Sequence, residues 1–165
     1  MSTEESNGGK VWLRFITDPG ISSWAIRWFT WSEWSHVDLV LRDGRFLGAR
    51  IDGGVRIRPH DYITPSAFRY AYVEVPDPRR IYGWATSQIG KPYDWRAIAG
   101  FLPRANWHNP HAWFCSELVA GAFEQARQPI IDAETSRVTP QMDYESIRVV
   151  KTNGVPKSLG KGLAY

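Results

Sequence analysis

The chain has 165 residues, 43% hydrophobic and 22% charged, which suits one globular domain with a sizeable core. A net charge of +3 without a long basic run makes no case for nucleic acid. A single cysteine, Cys115, excludes an intrachain disulfide framework and a four-thiolate zinc site, and no apolar run reaches the ~18 residues of a membrane-spanning helix.

The opening MSTEESNGGK is polar and has no apolar stretch. Residues 1–10 are therefore expected to form a disordered leader and not a secretory signal. The protein is expected to be cytoplasmic at synthesis, which is compatible with later release or carriage in a particle. VWLRFI (11–16) reads as a strand, and Asp18-Pro19-Gly20 as a turn. In ISSWAIRWFTW, Trp24, Trp28 and Trp31 recur at helical spacing and are expected to form a core or cleft wall. The chain holds nine Trp, an excess that points to aromatic packing, a binding cleft or an interfacial face.

The period then changes to two. Residues 36–42 and 45–50 read as strands joined at Asp43-Gly44, a strong hairpin signal. VRIRP (55–59) and RYAYVEV (69–75) complete an expected antiparallel meander. Beyond Pro76 the pattern turns helical. Pro78 opens a helix that Gly90 stops. KPYDW is a loop, and 94–102 is a short helix ended by Pro103. ANWHNPHAW is a loop, and a helix from Cys115 runs to about Arg127. Residues 136–140 read as loop, SIRVV (146–150) as the last strand, and residues 151–165 as a flexible tail.

Cys115 stands in line with Leu118, Val119, Ala122 and Phe123, the buried face of its helix. It can be plain apolar filling, as free cysteines often are. The same position, in the first turn, offers a thiol the positive end of a helix dipole, which lowers its pKa, and unpaired N–H groups that can bind an oxyanion. A base is then required. His36 opens a half-buried strand and is either a strand histidine or a base facing a cleft. His60 follows Pro59 in a loop and is expected to be solvated. His108, His111 and Cys115 form H-x2-H-x3-C, three acceptable zinc ligands without an obvious fourth and with no common zinc spacing, so no metal and no cofactor is expected.

These stretches resemble the circularly permuted NlpC-type papain-like cysteine hydrolases, in their YiiX-like branch. SHVDLVL resembles the family's histidine strand and GARIDGGVRIRP the strand pair after it. IGKPYDW resembles its glycine-Pro-Tyr-Asp loop, and WFCSELVAGAF its cysteine motif. Thr139-Pro140 matches a late threonine- or serine-proline element. The likeness covers about residues 11–150. It implies an α+β fold, an antiparallel sheet with the cysteine-bearing helix packed against it. It also implies Cys115 as nucleophile and His36 as general base in acyl transfer through a thioester.

The family commonly places a polar residue on the next strand to orient the histidine. Here that position is Gly48. Asp38, two residues after His36 and so on the same face of the strand, is the candidate replacement, with Asp52 as second candidate. Tyr93 and Asp94 either line the cleft or make a structural turn, and Glu117 is expected to make a structural bond. The expected function is a cysteine hydrolase of amide or ester bonds acting on cell-wall peptides, with acyl lipids as the other substrate class. A papain-like binding or structural module with little turnover, of phage type, is the alternative that Gly48 raises.

Overall fold

The computed structural model describes residues 9–20, 27, 31–95, 111–131, 138–146, 148–153 and 156. Strands β1 (Gly9–Thr17), β2 (His36–Val40), β3 (Phe46–Arg50), β4 (Gly54–Arg58) and β5 (Ala67–Val75) precede helices α1 (Pro78–Ser87), α2 (Cys115–Gln125) and α3 (Pro140–Glu145), and β6 (Val150–Thr152) closes the order. The six strands form one sheet in the order β4-β3-β2-β1-β5-β6, antiparallel at every pairing. The architecture is α+β.

The meander holds for β1 to β4. β5 does not continue it: it returns to the other side of β1 and pairs along the whole of that strand, from Gly9↔Val75 to Thr17↔Ala67. This makes β1 central, and the pairing draws in Gly9 and Lys10, which the sequence pattern places in the leader. The Asp43-Gly44 turn forms as expected, with Gly44 at φ 85°. Side-chain alternation then sorts the sheet into two faces. Val11, Leu13, Phe15, Val37, Leu39, Leu47, Ala49, Ala71 and Val73 join α1 and α2 in the main core. Val40, Phe46 and Tyr70 form a smaller cluster with Trp12 and Tyr62.

Three readings change. Residues 140–145 form a helix, because Thr139 accepts from the Met142 N–H and Pro140 stands in the first turn, an N-terminal signal hidden inside an expected loop. The last strand moves to Val150–Thr152, since Ser146 ends α3, so Lys151 and Thr152 belong to the sheet and not to a tail. Trp31 is 93% exposed and has φ 51°, so it lines neither core nor wall. Trp24, Trp28, the expected helix beyond Trp95 and His108 lie outside the described residues.

The KPYDW loop is fastened on two sides. Val55 donates to the Lys91 carbonyl and Gly90 to the Val55 carbonyl, while Trp113 donates to Pro92 and Asp94 to Trp113. Gly54 is what permits the close approach. It has φ 68°, and a Cβ there would stand 2.2 Å from the Lys91 carbonyl oxygen, backbone that cannot swing away. Gly54→Ala is therefore expected to destabilise the fold by about 2 kcal/mol or more in urea unfolding. Gly90→Ala, at φ 93° but with open space around it, should cost about 1 kcal/mol.

Candidate functional site

β2 and β3 pair only at Leu39↔Leu47 and Val40↔Phe46. Towards His36 the two strands part, and the polar side chains gather there. Asp38 is the centre. Its Oδ1 lies 2.7 Å from His36 Nε2, and its Oδ2 accepts from Arg14 Nη2 at 2.8 Å and from the Tyr62 hydroxyl at 2.8 Å. Asp38 is fully buried, and His36 and Arg14 are nearly so. Burial alone would raise the Asp38 carboxyl, but His36 and Arg14 hold it far below the usual carboxylate range. An ionised Asp38 only accepts, so His36 donates from Nε2–H. A neutral ring then keeps Nδ1 as its basic nitrogen.

Gly48 explains how Asp38 fits. Continuing the register from Leu39↔Leu47 sets Asp38 opposite Gly48. A Cβ at 48 would stand 2.2 Å from Asp38 Oδ1 and 3.4 Å from His36 Nε2. The carboxylate thus occupies the volume that a side chain on β3 would take. Asp52, the other candidate, is 59% exposed and instead accepts from Arg50 and Arg58 at 3.3 Å, away from the imidazole. Arg58 also donates to the Gly48 carbonyl at 3.1 Å, which pins β3 behind the pair.

Cys115 is the first residue of α2 and is fully buried. The backbone N–H groups of Val37 and Ser116 favour the ionised form of its sulfur, and α2 packs against β2, so the thiol lies near the peptide that joins His36 to Val37. Among the described residues no hydrogen bond links the thiol to the imidazole. The expectation of a depressed thiol pKa is not met. Burial pushes Cys115 up to about 12, and the charges of Asp143 and Asp38 push in the same direction. The two N–H groups oppose this and are outweighed. At neutral pH Cys115 is therefore a neutral thiol.

α2 is anchored by groups of its own. Glu117 is buried, accepts from the Phe114 N–H at 3.1 Å, and is pushed up to about 8 by its burial. This is the structural bond expected of it. Ser116 Oγ donates to the Val138 carbonyl. Tyr93 stacks obliquely on Phe114, with ring centroids 5.7 Å apart, and burial raises its hydroxyl well above the ordinary tyrosine value. His60 and His111 are exposed. Cys115 is wholly enclosed whereas His111 is exposed, and among the described residues no group of three or more His, Cys, Asp or Glu is arranged to hold a metal ion.

Arg14 and Tyr62 were not singled out by sequence pattern. Arg14 had a signal: it interrupts the apolar VWLRFI at a position whose alternation sets it on the face of His36 and Asp38. Its guanidinium lies over the Phe46 ring, 3.5 Å from the centroid. Tyr62 had none, since it reaches Asp38 from a loop 24 residues away.

The fold is shared with the crystal structure of the metalloprotein YiiX from Escherichia coli O157:H7, described as DUF1105. The TM-score is 0.69 at 16% identity, over 87% of this chain and 95% of that one. The chain thus has a YiiX-like fold. No protein-family model matches it, and no curated protein does. Among the described residues no helix is long and apolar enough to cross a membrane.

Two outcomes follow from the charges. Asp38 has a folded pKa below its unfolded one, so it contributes stability above pH ~4 that is lost progressively as the pH falls further. Asp38→Asn leaves the buried Arg14 unpaired and should cost about 3–5 kcal/mol at pH 7, with a smaller penalty at pH 3, read by urea unfolding. The rate of iodoacetamide alkylation at Cys115 should climb with pH from 7 to 10 without levelling, as a thiol raised to about 12 demands.

Proposed function

We propose that the protein is a cysteine hydrolase of amide or ester bonds, a permuted papain-like enzyme of NlpC type. Cys115 is its nucleophile, His36 its general base and Asp38 the residue that orients His36. The observation that carries this reading is the His36–Asp38 pair at 2.7 Å, held at the start of β2, the strand against which the Cys115 helix packs. A fully buried carboxylate bound to a fixed imidazole leaves Nδ1 as the one basic nitrogen of the ring at the strand end.

The steps use these groups alone. As Sγ attacks the acyl carbon, His36 Nδ1 takes the thiol proton, so no free thiolate precedes the attack. The carbonyl π pair moves to oxygen, where unpaired N–H groups of the first turn of α2 receive it. When the oxyanion collapses, the bond to the leaving group breaks and His36 returns the proton to it. Water, deprotonated by the same ring, then cleaves the thioester. Because the sulfur is fully covered, substrate entry must displace the residues over it.

The preferred substrate class is a cell-wall peptide amide, with an acyl lipid as the other. The YiiX-like fold is compatible with a hydrolase and favours neither substrate class. A second reading, a binding module with little turnover, is favoured by one observation: a thiol both enclosed and raised to about 12.

The test is acylation by p-nitrophenyl acetate, followed by the p-nitrophenol burst and by the mass of the Cys115 peptide. Cys115→Ser should abolish the burst. His36→Ala should slow it by about 10²–10⁴-fold, the usual worth of a general base. Gly48→Ala, whose methyl group must displace the Asp38 carboxylate, should slow it by about tenfold or more. A wild-type burst unchanged by Cys115→Ser would remove the hydrolase reading and leave the binding module.

A further inference from the structure

α3 bridges the two halves of the site. On one side Gln141 Oε1 accepts from the Glu33 N–H at 2.9 Å, and Tyr144 packs against Trp34 and Phe15 with centroids 5.2 and 5.1 Å away, which holds the segment that leads into His36. On the other side the carbonyl of Val138, just before α3, accepts from Ser116 Oγ beside the nucleophile. Between these anchors, on the same short helix, stands Asp143. It is fully buried, and neither of its carboxyl oxygens has a hydrogen-bond partner. An unpaired buried carboxyl is costly and calls for a reason. A structural acid would resemble Asp38, with each oxygen engaged.

We propose that Asp143 is a further catalytic residue, a neutral carboxylic acid that donates its O–H to the carbonyl oxygen of the acyl group attacked by Cys115. The proposal rests on the cysteine-hydrolase reading given above. The Sγ–C bond forms as the π pair moves to oxygen, and the thiol proton goes to His36 Nδ1. The Asp143 proton stays on Asp143 throughout and only shares a hydrogen bond with the growing oxyanion. On collapse the π bond re-forms and the leaving group departs with the proton from His36. A charged Asp143 would repel a forming thiolate. Its burial holds the proton on, well above the ordinary aspartate range. Its place relative to the nucleophile follows from the packing of α3 against α2, the helix that Cys115 opens.

Two variants test this, with Cys115→Ser as control. Asp143→Leu keeps the branching of the side chain and removes both polar atoms. Asp143→Asn keeps an N–H donor and carries no charge. Each is measured by p-nitrophenyl acetate acylation of Cys115 and by thermal unfolding. The expected result is a Leu variant that melts no lower than wild type yet acylates about 10²-fold more slowly, the usual loss for one oxyanion donor. The Asn variant should stay within about tenfold of wild type, since it still donates. If Cys115 is acylated in the wild type and just as fast in Asp143→Leu, the Asp143 proposal fails alone. If both variants melt well below wild type and lose acylation equally, Asp143 is structural and the proposal is overturned. If the wild type shows no acylation that depends on Cys115, the hydrolase reading falls and this proposal falls with it.

Discussion

Everything at the start of β2 depends on one carboxylate out of reach of water. Asp38 has four strong acceptor sites and no solvent, so it must collect donors from the protein. It takes them from three parts of the chain: a ring two residues back, a guanidinium on the neighbouring strand, and a hydroxyl from the loop after β4. His36 and Arg14 are nearly enclosed and Tyr62 is partly buried, so each needs the carboxylate in return. The imidazole therefore has little freedom to rotate, and its tautomer follows from a charge that Arg14 keeps in place. What orients the ring is a shared debt among buried groups, which no single pair could sustain.

The vacancy at Gly48 belongs to the same arrangement. A carboxylate on β2 and a side chain on β3 compete for one volume, so the strand pair admits an acid at 38 only if 48 has no Cβ. The two positions face each other across the place where β2 and β3 separate.

Local pattern made much of the sheet legible. The period-two runs, Asp43-Gly44, Pro78 and the Cys115 helix all form close to where the sequence sets them, because turn chemistry and alternation act over a few residues. Alternation alone also puts His36 and Asp38 on one face. What local pattern could not carry was distance along the chain. β5 pairs with β1 across some fifty residues of sequence, roughly the span that separates Arg69 from Phe15. Tyr62 reaches Asp38 through a loop, and Asp143 stands on a helix of six residues whose N-terminal signal, Thr139-Pro140, falls within an expected loop. The thiol shows a conflict of two local effects. A helix N-terminus favours the anion and enclosure opposes it, and enclosure wins, with the Asp38 charge adding to it.

The position of β1 in the sheet has a consequence for how the chain comes together. β1 needs β2 on one flank and β5 on the other. During synthesis it emerges well before either, and β5 follows only after the whole meander has been made. Until then β1 offers an open edge of apolar residues, Val11, Leu13 and Phe15 among them, to any strand that comes near. The nascent chain therefore passes through a period in which its future centre is its most adhesive border, and the return of residues 67–75 is the event that closes it.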